Sequence, residues 1–235
     1  MKTAINQCST KPTAFGICEF IGSMFLVIAA IAPIILFVNI LDAPIYLAVI
    51  ADAMAVGFVL FALIEIFGPI CTAYFNPAVT IGMAIVKDIS WYQAMQYTVA
   101  QILGGLAGVI SCHLMFFDKT EILVDISIIE RSGGAYFAEV LGTFILVLCI
   151  FSLVHQKSDR VSLVVGLLVG GMLLSTASTM FANPQVTLAR IFTYSAAGIR
   201  PFDAVIFIII QILSAILAVI VWKYAINKCA RVCEN

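Results

Sequence analysis

The chain has 235 residues, of which 63% are hydrophobic and 11% charged, with a formal net charge of −1 and a mean hydropathy of +1.14. Soluble domains carry about 25% charged residues, so this composition excludes a water-soluble globule and makes a lipid bilayer the solvent that stabilises it. The near-zero charge and the absence of a basic run exclude a polyanion-binding surface and, with it, a nucleic-acid partner.

In chain order, six apolar segments are long enough to span, at 14–38, 45–67, 91–117, 135–154, 160–180 and 203–226, because about 20 helical residues cross the hydrocarbon. The first exceeds the roughly 7–15 residues of a signal-peptide core and reads as a retained span. Two shorter apolar stretches, 68–87 and 181–200, each contain Asn-Pro and read as re-entrant pieces. The organisation expected is an N-terminal tail (1–13), a first repeat (14–117), an outer connecting loop (118–134), a second repeat (135–226) and a C-terminal tail (227–235).

With both termini cytoplasmic, Lys2, Lys11, Lys87, Lys157, Arg160, Lys223, Lys228 and Arg231 fall inside, against Lys119, Arg131, Arg190 and Arg200 outside. That bias agrees with the positive-inside tendency; the location expected is a plasma (inner) membrane. Of the seven cysteines, Cys18, Cys112 and Cys149 lie in apolar runs and read as buried small hydrophobes. Cys71 reads as a packed thiol beside the cytoplasmic vestibule. Cys229 and Cys233, without companion ligands, give a weak metal signal, and His113 and His155 read as structural.

The two halves repeat one another. Glu19-Phe20-Ile21-Gly22-Ser23 returns as Glu139-Val140-Leu141-Gly142-Thr143, Asn76-Pro77-Ala78-Val79-Thr80 as Asn183-Pro184-Gln185-Val186-Thr187, and Gln101-Ile102-Leu103 as Gln211-Ile212-Leu213. Each half holds three spans, an odd number, so the second half is inverted relative to the first. The fold expected is an all-α membrane protein of six transmembrane helices and two re-entrant half-helices in an inverted repeat.

Asn followed by Pro starts a helix well, because Asn caps the first turn and Pro suits the first helical position. Inverted symmetry makes the two half-helices meet N-terminus to N-terminus near the midplane. Each end carries roughly half a positive elementary charge, which opposes a cation or a hopping proton. A neutral hydroxylated molecule instead meets the amide donors of Asn76 and Asn183. Glu19 and Glu139, carboxylates within apolar spans, are expected to face inward and to accept from re-entrant backbone N–H groups. Asp52 and Glu65 receive no role.

Nearly the whole chain resembles the aquaporin and aquaglyceroporin family. Tyr74-Phe75-Asn76-Pro77-Ala78-Val79-Thr80-Ile81-Gly82 is very like its first signature box, Tyr97 to Gly104 looks like its third helix, and Glu19 and Glu139 match its buried glutamates. The resemblance implies a homotetramer with one pore per subunit and no cofactor. The second box departs from the pattern: Gln185 stands for the usual Ala and Val186 for the usual Arg. The other constriction positions implied are Val56, Gly171 and Met180, with Leu173 replacing Gly171 if the alignment is anchored on Gly166. The expected filter is wide and apolar, without an aromatic ring or a cation. Arg190, one turn beyond Val186, is a candidate for the outer mouth or a loop anchor. Val-Thr with a later Arg resembles a bacterial subgroup linked to arsenic handling.

The function expected is a passive channel for small uncharged solutes (polyols, metalloid acids such as arsenous acid, water, ammonia) that excludes ions and protons. The alternatives are a water-selective aquaporin, a coupled transporter using mid-membrane carboxylates, and a structural membrane protein with a closed pore. An intramembrane enzyme is disfavoured, since neither Gly-x-Ser-x-Gly nor His-Glu-x-x-His occurs.

Overall fold

In the computed structural model, which describes residues 12–131 and 133–226, helices make up most of the apolar segments. The tail residues Lys2, Lys11, Lys228, Arg231, Cys229 and Cys233 lie outside the described residues. Helix α1 (Pro12–Ile34) contains Pro33 and passes into a π-helical turn at Ile35–Ile40; Pro33 supplies no N–H to the ladder, and widened turns of this kind accompany such interruptions. It is followed by α2 (Ile45–Phe67), the half-helix α3 (Pro77–Ile85), α4 (Trp91–Met115) and the short α5 (Phe117–Thr120). The second half comprises α6 (Gly133–His155), α7 (Val161–Ser175), the half-helix α8 (Pro184–Ala189) with a 3₁₀ turn at Arg190–Phe192, and α9 (Pro201–Val221) ending in a π-helical turn.

Local chemistry sets several of these starts. Ser90 and Gln93 close a reciprocal capping box on α4, with Gln93 N donating to Ser90 Oγ at 3.2 Å and Ser90 N donating to Gln93 Oε1 at 2.9 Å. Proline occupies the first position of α3, α8 and α9.

Five of the described helices are long and apolar enough to cross a membrane, and α7, with 15 residues, is shorter. The expected sixth span ran to residue 180, but α7 stops at Ser175. Thr176 is extended, its hydroxyl donates to Met172 O at 2.7 Å and accepts Met180 N at 3.0 Å, and the chain turns toward α8. At about 1.5 Å per residue α7 is roughly 22 Å long.

The pairing of elements repeats between halves: α1 packs along α4 as α6 packs along α9, and α2 lies against α7 to join the repeats. The α1–α4 contact is close enough that a Cβ on Gly104 would stand 2.2 Å from the Phe20 carbonyl oxygen, the small-residue approach used between membrane helices. Polarity is inverted relative to a soluble protein. Glu19, Gln101, Glu139 and Gln211 are fully buried, while Phe58, Phe137, Leu167 and Leu213 are exposed on the outside.

Candidate pore at the meeting of the half-helices

The loop before each half-helix takes the same unusual path. Ala73 and Phe75, three and one residues before Asn76, have φ of 49° and 49°; Met180 and Ala182, three and one before Asn183, have φ of 36° and 44°. Left-handed backbone costs an L-residue about 1–2 kcal/mol, so something must hold these turns. Buried carboxylates do. Glu19 Oε1 accepts Tyr74 N and Thr72 Oγ1, both at 2.8 Å, and its Oε2 accepts Phe75 N at 2.7 Å and Gln101 Nε2 at 2.8 Å. Glu139 Oε1 accepts Phe181 N at 2.8 Å, and its Oε2 accepts Ala182 N at 2.7 Å and Gln211 Nε2 at 2.6 Å. Where no water reaches, each loop N–H needs a protein acceptor, and an ionised carboxylate offers about four lone-pair sites.

Those turns aim the carbonyls of Phe75 and Ala182 at the opposite asparagine. Asn76 Nδ2 donates to Ala182 O at 2.8 Å while its Oδ1 caps α3 through Ala78 N at 2.9 Å. Asn183 Nδ2 donates to Phe75 O at 2.8 Å while its Oδ1 caps α8 through Gln185 N at 3.2 Å. The half-helices therefore meet N-terminus to N-terminus, with Pro77, Ala78, Pro184 and Gln185 buried at the junction. A side-chain amide carries two N–H donors, so each asparagine keeps one beyond the bond that holds it.

Gln185 lies between this junction and α4. Its Nε2 donates to Phe75 O at 3.4 Å, and its Oε1 occupies the space a Cβ on Gly105 of α4 would need, 2.2 Å from that point. The polar side chain at this position is accommodated by the missing one on α4.

Of the expected filter positions, Val56, Met180 and Val186 are buried in one apolar cluster. Gly171 is not with them, which corrects its placement: it is exposed, no atom lies within 4 Å of a Cβ built on it, and with Phe58, Leu167 and Leu174 it lines a groove between α2 and α7. Leu173 is the α7 residue in the inward cluster. The reason is rotational register: Gly166 and Gly170 abut Gly57 and Ala53 of α2, which turns residue 171 outward and 173 inward. Met180 lies against α6, its Cγ 2.9 Å from a Cβ built on Gly142.

The cation absent at Val186 is found one turn on. Arg190 is 2% exposed; its Nη2 donates to Ala30 O at 2.6 Å, lies 3.6 Å from Asp52 Oδ2, and its guanidinium stacks 4.2 Å over the Phe181 ring. Phe181 itself packs in a separate apolar cluster with Ile199 and Phe207, apart from the one that holds Val56 and Val186. Asp52, to which sequence alone gave no role, is 3% exposed on the inward face of α2; a carboxylate within an apolar span was the signal. Gln101, Gln211, Thr80 and Thr187 were also missed as parts of the loop clamps: Gln101 bonds Glu19 and Thr80, and Gln211 bonds Glu139 and Thr187.

Other expected residues lie away from the axis. His113 Nδ1 donates to Leu123 O at 2.7 Å and Nε2 faces Thr193 Oγ1 at 2.9 Å, tying α4 to the loops at its end. His155 packs against Trp222 at 3.9 Å between ring centroids, the planes tilted by 46°. Glu65 is exposed and accepts from Ser162 Oγ at 2.6 Å. Cys71 is half-buried in the loop before Asn76. In the loop after α5, Arg131 Nη2 donates to Gly198 O at 2.7 Å; burial and the nearby Arg190 push its guanidinium down to about 10.

The family model described as Major intrinsic protein matches residues 8–182. Aquaglyceroporin AqpS of Rhizobium meliloti is 35% identical over 212 residues, covering 90% of this chain and 89% of that protein. A glycerol uptake facilitator protein of Streptococcus pneumoniae is 32% identical over 142 residues, covering 55% of this chain and 61% of that protein. Among solved structures, the aquaglyceroporin from Plasmodium falciparum superposes with a TM-score of 0.74 at 17% identity, covering 94% of this chain and 99% of that one.

Proposed function

The chain belongs to the major intrinsic protein family, whose members are multi-pass membrane channels for small neutral solutes and not enzymes, and from that premise we propose which solutes it passes and how. The permeants are neutral polyhydroxylated molecules: glycerol-like polyols and undissociated metalloid acids such as arsenous acid, with water and ammonia as smaller companions. The reciprocal bonding of Asn76 and Asn183 carries this reading. It leaves one amide N–H on each asparagine for a passing hydroxyl, close to a buried apolar cluster. Val56, Met180, Val186 and Leu173 form the apolar constriction, where a strongly hydrated species loses more on desolvation than it regains.

Both half-helix N-termini point at the same spot, each with roughly half a positive elementary charge. Cations and protons are excluded there. Glu19 and Glu139 hold the loops and take no part in coupling, because both oxygens of each carboxylate already accept backbone and side-chain donors. The protein sits in the inner membrane with both termini cytoplasmic and assembles as a homotetramer with one pore per subunit, as the distribution of Lys and Arg and its family membership support.

The test is uptake of labelled glycerol into proteoliposomes with the proton and sodium gradients set or collapsed. A channel equilibrates the solute at the same rate in every case. Accumulation above equilibrium, or dependence on either gradient, would establish coupled transport instead.

A further inference from the structure

Two cysteines meet beside the loop clamp of the first half. Cys18 precedes Glu19 on α1, Cys71 precedes Thr72 in the loop before Asn76, and Thr72 Oγ1 donates to Glu19 Oε1 at 2.8 Å. That bond brings the two preceding residues together, and their side chains lie in hydrogen-bonding contact, thiol to thiol. The Cys71 sulfur also accepts the Ala73 N–H. Both thiols are free. Cys71 is half-buried and Cys18 keeps 7% exposure, so the pair is approached through Cys71.

The chemistry of the pair selects its ligand. Glu19, beside the thiols, has both oxygens engaged by Thr72, Tyr74, Phe75 and Gln101 and is not free to ligate. Among the described residues no group of three or more His, Cys, Asp or Glu could hold a metal ion. Structural zinc takes four ligands, so two thiols fall short of a zinc site. A trivalent metalloid is a soft centre that favours sulfur, and it can exchange two hydroxyls for thiols while keeping its third. We propose that Cys18 and Cys71 form a two-thiol binding site for a trivalent metalloid acid of the arsenous acid type. The Cys71 sulfur displaces one hydroxyl of As(OH)3 and the Cys18 sulfur a second. Two As–S bonds form, two As–O bonds break, and each thiol proton leaves with a displaced hydroxyl as water, with no change of oxidation state. The product joins α1, less than two turns after its start at Pro12, to the loop that leads to Asn76. The inference takes its ligand class from the channel reading above and rests on it for that alone.

The experiment uses the full chain carrying Cys8→Ser, Cys229→Ser and Cys233→Ser, which removes the cysteines outside the described residues. The purified, reduced protein is incubated with arsenous acid and desalted, and its arsenic content is measured. A two-thiol site predicts one arsenic per chain, released by dithiothreitol and retained against a monothiol at equal thiol concentration. Adding Cys18→Ser or Cys71→Ser abolishes the retained arsenic, whereas adding Cys112→Ser leaves it. An arsenic-free chain, or retention unchanged by Cys18→Ser and Cys71→Ser, overturns the proposal. If the serine variants do not assemble, X-ray absorption at the arsenic edge is read on the arsenic-loaded parent: two As–S bonds support the site, and one or none overturns it. Should the protein pass no solute faster than empty vesicles, the channel reading falls while the arsenic count still decides this proposal.

Discussion

The carboxylate of Glu139 accepts the N–H of Ala182 at 2.7 Å, and the carbonyl of that same alanine accepts the side-chain amide of Asn76 at 2.8 Å. Glu19, Phe75 and Asn183 repeat the arrangement in the other direction. Each carboxylate thus sets the acceptor that positions the asparagine of the opposite repeat, and the two loops are one unit.

Glu139→Gln turns an acceptor toward donors: its amide NH₂ would face a backbone N–H or the Gln211 amide. Hydrogen bonds to a charged group are worth about 1.5–3 kcal/mol each. Both Glu139→Gln and Glu19→Gln are expected to lower the melting temperature of the detergent-solubilised protein and to reduce solute flux together. Loss of flux with unchanged melting would instead give the carboxylates a direct part in permeation.

Gly105 and Gln185 are coupled by space. Gly105→Ala places a methyl 2.2 Å from Gln185 Oε1, an atom that is buried without a partner. Overpacking of this kind costs about 1–3 kcal/mol. Gln185→Ala removes both the clash and the unmet acceptor, so the double variant is expected to melt close to wild type, and a thermal double-mutant cycle checks it.

Val186→Arg installs a cation in the cluster shared with Val56, Met180 and Leu173, one turn from Arg190. The added volume and the like charge narrow the constriction and repel Arg190. Glycerol uptake is expected to fall on the order of tenfold or more, a barrier increase of at least about 1.4 kcal/mol, with osmotic water flow reduced less. Vesicle swelling assays on the two solutes measure this directly.

The loop after α5 is fastened by Asp203, which accepts Arg131 N at 2.7 Å, Tyr136 Oη at 2.6 Å and Arg200 Nε at 2.8 Å; Arg200 also pairs with Glu130. With a further bond from Arg200 Nη2 at 3.3 Å, Asp203 accepts four, and Asp203→Asn weakens this set. Hydrogen exchange at Ser127 and Arg200, whose N–H groups donate to Ile191 O and Ile129 O at 2.8 Å, is expected to accelerate, while exchange along α4 stays slow.

The architecture was legible because its chemistry is local or duplicated. An Asn-Pro start needs only neighbouring residues, and the echo of Glu19 in Glu139 exposes the inversion. What sequence could not show depends on contacts across the chain. The apolar run continues past Ser175, so composition does not reveal that α7 ends there; Thr176 turns the chain, and Glu139, on another helix, holds Phe181 and Ala182 beyond the turn. Counting back from Asn183 reaches Gly171, but only the packing of Gly166 and Gly170 on α2 shows that residue 171 faces outward. Asp52 and Arg190 lie in opposite repeats, and only the closed bundle makes them partners.

Stopped-flow light scattering on proteoliposomes, comparing osmotic water flow with entry of glycerol and of arsenous acid, tests the central claim most directly. The account predicts that both solutes enter well above the rate of protein-free vesicles and that Val186→Arg suppresses their entry. Rapid water flow with solute entry no faster than in protein-free vesicles would contradict it and make the protein a water-selective pore.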